Sequence, residues 1–116
     1  CVEETEIEEE IKKAIEAEEE RIGKVRIKRI RCPYNIISTV ARKLWDKGGY
    51  VIVVNDGYFK EDCQIYVRGN SVGNLIHMAI KRGYVAGGKR NVMGAIVPKE
   101  RCEEFIKKIL EAIKNG

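Results

Sequence analysis

YVIVVNDGYFKEDCQIYVR, residues Tyr50–Arg68, decides how the rest of the chain is arranged. Its first five residues are apolar at every position. A strand of that kind has both faces removed from water, so it belongs in the middle of a sheet with helices on either side. Asn55, Asp56 and Gly57 supply turn residues, and Cys63–Arg68 then alternates as a strand does. The two strands are expected to pair as a hairpin.

Upstream, KVRIKRIR (Lys24–Arg31) alternates, with Val25, Ile27 and Ile30 directed inward and Arg26, Lys28, Arg29 and Arg31 in water, a strand with one basic face. Pro33 stands where a helix can begin. Ile36, Ile37, Val40, Ala41 and Leu44 then recur at helical spacing until Lys47, Gly48 and Gly49 interrupt them. Further upstream, Ile7, Ile11, Ala14, Ile15 and Ile22 fall mostly at three- and four-residue intervals in a glutamate-rich run, which predicts an amphipathic helix from Glu3 to Ile22 ended by Gly23.

Downstream of the hairpin, a helix is expected from about Val72 to Arg82, followed by a glycine-rich basic loop, Gly83–Asn91, and an apolar strand, Val92–Val97. Pro98 opens a last helix in which Cys102, Phe105, Ile106, Ile109, Leu110 and Ile113 share a face. The order predicts an α/β fold: a mixed sheet of four to five strands with helices on both faces, preceded by an acidic linker helix. The linker is residues 1–22 and the domain residues 23–116.

The chain has 116 residues and is 44% hydrophobic, which suits one compact domain. It opens at Cys1 rather than at a methionine and is read as a piece of a longer protein. The net charge of +4 conceals an asymmetry. Residues 1–20 carry ten glutamates against Lys12 and Lys13, whereas residues 21–116 carry 20 Lys and Arg against 8 Asp and Glu. So basic a body attracts polyanions and releases counterions when phosphates dock, which points to nucleic acid. On composition alone, a thermophilic surface rich in Lys, Arg and Glu accounts for it equally well.

The four cysteines, at 1, 32, 63 and 102, form no CxxC pair, and His77 is the one histidine, so no zinc site is expected. The thiols read as small buried hydrophobes or surface thiols in a reducing, cytoplasmic setting. No apolar run approaches the roughly 20 residues of a membrane span. Only three aspartates occur, Asp46, Asp56 and Asp62, each in or near a turn, so no two-metal centre assembles and no cofactor is expected in these residues. Nothing stands at a spacing that would orient His77 for catalysis, Trp45 reads as core edge, and Tyr58 and Phe59 as hairpin-end rings that either fold back on the sheet or stack on bases.

Two segments favour phosphate. Arg68 ends a strand where Gly69, Asn70 and Ser71 lead into a helix N-terminus, whose amides and dipole suit an anion; an ordinary strand-to-helix turn is the plainer account. Gly87-Gly88-Lys89-Arg90-Asn91 joins two cations to a flexible backbone that a ligand can approach closely, and a solvated turn explains it as well. It lacks the spacing of a Walker motif.

Together these segments resemble the C-terminal DHH-associated domain of the DHH phosphoesterase superfamily. The family loop reads approximately Gly-Gly-His-x-x-Ala-Ala-Gly-Ala. Here Gly87 to Ala95 has the same length, with both glycines and the closing Gly94-Ala95 in register. Arg68 resembles the family's arginine after the third strand, and Gly73-Asn74-Leu75 its helix-start segment, with weaker similarity over residues 24–115. The archaeal RecJ-like nucleases fit best.

The resemblance implies a module that grips single-stranded nucleic acid or a short oligonucleotide through Arg68, Asn70, Ser71, Gly87, Gly88, Lys89, Arg90 and Asn91. It also implies an upstream DHH catalytic domain holding divalent metal, Mn or Mg, to which the strand is presented. These residues would not be an enzyme by themselves; the parent would be a metal-dependent phosphoesterase or exonuclease. Lys89 stands where the family has histidine: it binds phosphate as a point charge but has no ring to stack. A second reading makes the chain a protein-interaction module of a replication or repair complex, with a degenerate loop and an acidic helix suited to a basic partner. A third, the related domain that ends alanyl-tRNA synthetases, would make the partner tRNA.

Overall fold

A computed structural model describes residues 2–116, with side chains from Glu4 onward. Its elements are α1 (Val2–Glu16), β1 (Glu19–Ile22), β2 (Val25–Ile30), α2 (Ile37–Leu44), β3 (Tyr50–Asn55), β4 (Asp62–Arg68), α3 (Gly73–Lys81), β5 (Val85–Lys89), β6 (Val92–Pro98) and α4 (Cys102–Asn115). One six-stranded mixed sheet runs in the order β1-β2-β3-β4-β6-β5. β2 and β3 are parallel, joined across α2, and all other neighbours are antiparallel.

β3 lies inside the sheet, paired with β4 as a hairpin. Its alternation separates two cores. Ile52 and Val54 face α3 and α4, where they meet Ile65, Val67, Leu75, Met93, Phe105 and Ile109. Val51 and Val53 face α1 and α2, against Ala14, Val40, Ala41 and Leu44. Burying each large aliphatic or aromatic side chain of these sets contributes about 1.5–3 kcal/mol, which is why the helix layers hold. Asn55, fully buried at the end of β3, ties down the chain after β2: its Oδ1 accepts from the Cys32 and Gly57 amides, and its Nδ2 donates to the Cys32 carbonyl.

Three expectations are corrected. The first helix ends at Glu16, not Ile22, and Glu19–Ile22 is an edge strand antiparallel to β2, with Glu19 opposite Lys28. The glutamate run favours helix locally, but the cations of β2 draw it into the sheet, where the Arg26 guanidinium donates to the Glu19 carboxylate at 2.8 and 3.0 Å. The sheet also has six strands rather than four to five, because the segment expected to be a basic glycine loop contains β5 and pairs along its length with β6.

The alternation also places Lys28 in water, whereas it is buried. The reason lies in the layer above it. α1 and α2 cover that face of β2, and the cations beneath them serve the carbonyls that helix ends leave open. The Lys28 ammonium donates to the carbonyls of Ile15 and Ala17, at the C-terminus of α1. Arg26 reaches the Leu44 carbonyl, at the end of α2. Replacing Lys28 with methionine keeps most of the length and strands those carbonyls, so it should lower stability by about 1–3 kcal/mol, read as a lower denaturant midpoint with unchanged slope.

Candidate nucleic-acid interface

Directly paired residues in a sheet project from the same face. Val51, Arg68, Val92 and Lys89 are paired in one row across β3, β4, β6 and β5, so Arg68 and Lys89 stand on the face that carries α1 and α2, with Val92 between them. The next row on this face is Val53, Tyr66, Gly94 and Gly87, and beyond it lie Ile96 and Val85.

The helices do not reach the far half of this face. The core beneath α1 and α2 extends across the sheet to Tyr66 and includes no residue of β5 or β6. What remains is an open shelf. Gly94 and Gly87 face each other at its centre without side chains, Val85 is 68% exposed at its edge, and Arg68 and Lys89 stand at one end.

Arg68 is held there by Trp45. The guanidinium carbon lies 5.3 Å from the ring centroid, a cation–π contact, and the indole is oriented by donating its N–H to the Gly49 carbonyl at 3.0 Å. Trp45 occupies the core edge, as its sequence context led us to expect, and also supports the arginine.

The two predicted segments are bonded to each other. The Gly69 amide donates to the Asn91 carbonyl at 3.1 Å and the Val72 amide to the Arg90 carbonyl at 2.7 Å, which clips the start of α3 onto the β5–β6 turn. Gly69 also packs under the Tyr50 ring, where a Cβ would lie 2.3 Å from it. Past the clip, Ser71, Gly73, Asn74 and Arg90 line a cavity of about 440 Å³ at the N-terminus of α3, which no side chain caps.

The predicted residues therefore fall into two groups. Arg68 and Lys89 lie on the shelf with Gly87, Ser71 and Arg90 lie at the α3 cavity, and the backbone of Asn91 joins them. Asn70 is exposed in the bend between the groups. Sequence reasoning missed Tyr66 and Gly94, which faces the predicted Gly87 across the β5–β6 ladder. The available signal was the alternation of β4, which puts Tyr66 two residues before Arg68 on the same face.

Tyr58 and Phe59 make an edge-to-face pair at 4.9 Å in the β3–β4 turn, at the opposite end of β4 from Arg68. His77 is exposed on α3. Among the described residues no group of three or more His, Cys, Asp or Glu side chains is placed to hold a metal ion. Nor is any helix among them long and apolar enough to cross a membrane.

No family model matches this chain, and no curated protein matches its sequence. Solved structures share its fold. The C-Ala domain of alanyl-tRNA synthetase from Aquifex aeolicus superposes with a TM-score of 0.62 at 13% identity, over 82% of this chain and 96% of that one. The pGpG-specific phosphodiesterase PggH from Vibrio cholerae superposes with a TM-score of 0.58 at 14% identity, over 97% of this chain; the match spans 40% of the phosphodiesterase's length.

The glycines of the β5–β6 hairpin differ in what they tolerate. Gly88 has φ 149°, and a Cβ there would lie 2.1 Å from the Val92 carbonyl oxygen, whereas a Cβ at Gly87 meets nothing within 4 Å. Gly88→Ala should destabilise the fold by about 1–3 kcal/mol and speed hydrogen exchange across β5, while Gly87→Ala leaves both close to the parent.

Proposed function

We propose that this chain is a nucleic-acid-binding module that lays a single strand or short oligonucleotide along the open half of its sheet. The observation that carries the reading is the single row holding Arg68 and Lys89 on the half of the sheet face that α1 and α2 leave open, set beside Arg90 at the start of α3. Arg68, pre-positioned on Trp45, grips one phosphate, and Lys89, across Val92, the next. The bare floor at Gly87 and Gly94 lets a sugar or base come close to the backbone. Arg90, with Ser71, Asn70 and the first amides of α3, serves a phosphate leaving the shelf.

In finer terms, the module is the C-terminal DHH-associated domain of a RecJ-like phosphoesterase, and presents its strand to a metal-dependent catalytic domain joined upstream through α1. The loop resemblance from Gly87 to Ala95 supports this. A fold shared with a pGpG-specific phosphodiesterase and with a domain of an alanyl-tRNA synthetase supports the broader reading, a module for nucleotides or nucleic acid.

Fluorescence anisotropy with short single-stranded DNA and RNA at two salt concentrations tests the reading. Binding should be salt-sensitive and nearly indifferent to base sequence, because phosphate contacts position a strand without reading it. Arg68→Ala with Lys89→Ala should weaken binding and reduce the slope of log affinity against log salt by about 0.7 for each phosphate no longer neutralised. Unchanged affinity in the double variant would remove the shelf assignment. Absence of binding to either nucleic acid at low salt would overturn the reading in favour of a protein-interaction module.

A further inference from the structure

A second concavity, of about 360 Å³, opens where β4 and α4 begin, and its wall holds the thiols of Cys63 and Cys102 beside Arg29, Arg31, Asp56 and Lys99. Backbone pairing brings the cysteines together. Cys63 lies opposite Val97 on β6, and β6 runs into a 3-10 turn, Lys99–Arg101, that delivers Cys102 as the first residue of α4. The Lys99 amide, donating to the Glu61 carbonyl at 3.0 Å, fastens that turn to the chain just before β4.

The Cys63 side chain is fully buried and that of Cys102 is 7% exposed, at the wall of the cavity. The two cysteines share one cavity wall and one core cluster, close enough for their thiols to interact, and their environments divide the proton between them. Cys102 is held below the ordinary thiol range, chiefly by its interaction with Cys63 and to a smaller extent by Arg29, against the opposing effects of burial, Glu103 and Asp56. Cys63 is held well above that range, by its interaction with Cys102 and by burial. A thiol at a helix N-terminus near a cation, with a second thiol in contact, is the arrangement in which one sulfur is attacked by an oxidant and the other resolves the product.

We propose that Cys63 and Cys102 form an oxidisable dithiol that a small peroxide entering this cavity converts to an intramolecular disulfide. The Cys102 thiolate attacks one peroxide oxygen, the O–O bond breaks, and the departing hydroxide leaves as water after taking a proton, giving a sulfenic acid. The Cys63 sulfur then attacks the Cys102 sulfur; the S–O bond breaks, and the hydroxyl leaves as a second water with the Cys63 proton. Two thiols and one peroxide become one disulfide and two waters. At the mouth Arg29, itself paired with Glu103, favours the thiolate, while Glu103 and Asp56 oppose it. The link would fasten the start of α4 to β4, on the side of the sheet away from the shelf, so it stands independently of the nucleic-acid reading.

The test is peroxide treatment of the folded chain, alkylation of remaining thiols, and tryptic mapping. The expected product is a linked pair of peptides, residues 61–68 and 102–107, lighter by two hydrogens than the sum of the two and separated by dithiothreitol. In Cys63→Ser the reaction should stop at the Cys102 sulfenic acid, trapped by dimedone. A chain that stays folded by circular dichroism and yields no such link overturns the proposal, as does a link that instead joins Cys32 to either cysteine. Because the primary readout uses the unaltered sequence, it does not depend on the variant folding.

Discussion

A strand that is apolar on both faces has to be covered on both, and β3 imposes that condition on the rest of the molecule. Val51 and Val53 require one layer of helices, Ile52 and Val54 another, and two separate cores follow from that alternation. The parallel pairing of β2 and β3 then demands a crossover, and α2 supplies it on the face where α1 also packs. The cations of β2 follow from the same condition. Arg26 and Lys28 lie under this layer, and they are tolerated because helix C-termini present them with carbonyls.

The cover is incomplete, and the candidate site lies where it stops. Four helices serve six strands. α3 and α4 fill one face of the sheet, whereas on the other α1 and α2 reach only as far as Tyr66. The exposed strip at β6 and β5 is basic at one end and carries no side chain at its centre, where Gly87 lies opposite Gly94. A surface of that shape suits an extended, charged polymer better than a compact ligand, since the charge is spread along an open strip and not gathered in a closed pocket.

The clip between Gly69–Val72 and the β5–β6 turn holds together two segments about twenty residues apart in sequence. It also divides their side chains. Strand geometry sends Arg68 and Lys89 to one face, while the turn carries Arg90 round to the cavity at the start of α3. A strand contacting both groups would have to pass over the edge of the hairpin rather than lie flat against a single loop.

Several features were legible in the residues alone. They include the apolar run of β3, the hairpin to β4, the helical spacing of Ile37–Leu44 and Cys102–Ile113, and the cations around the glycine pair. Each depends on local periodicity, which an element carries whatever surrounds it. Ten glutamates near the start could not show that the last of them join a sheet, because helix propensity is local and the opposing cations belong to β2. Nor could Gly87-Gly88 show that it belongs to a strand, since glycine has no side chain to reveal a period and only the ladder with β6 orders it. The order of periodic segments determined that this would be an α/β domain, and the charge balance that its body would be basic. Which cations would be buried, which half of the sheet would stay open, and which two thiols would meet were decided by the tertiary structure, because each depends on contacts between residues far apart in the chain.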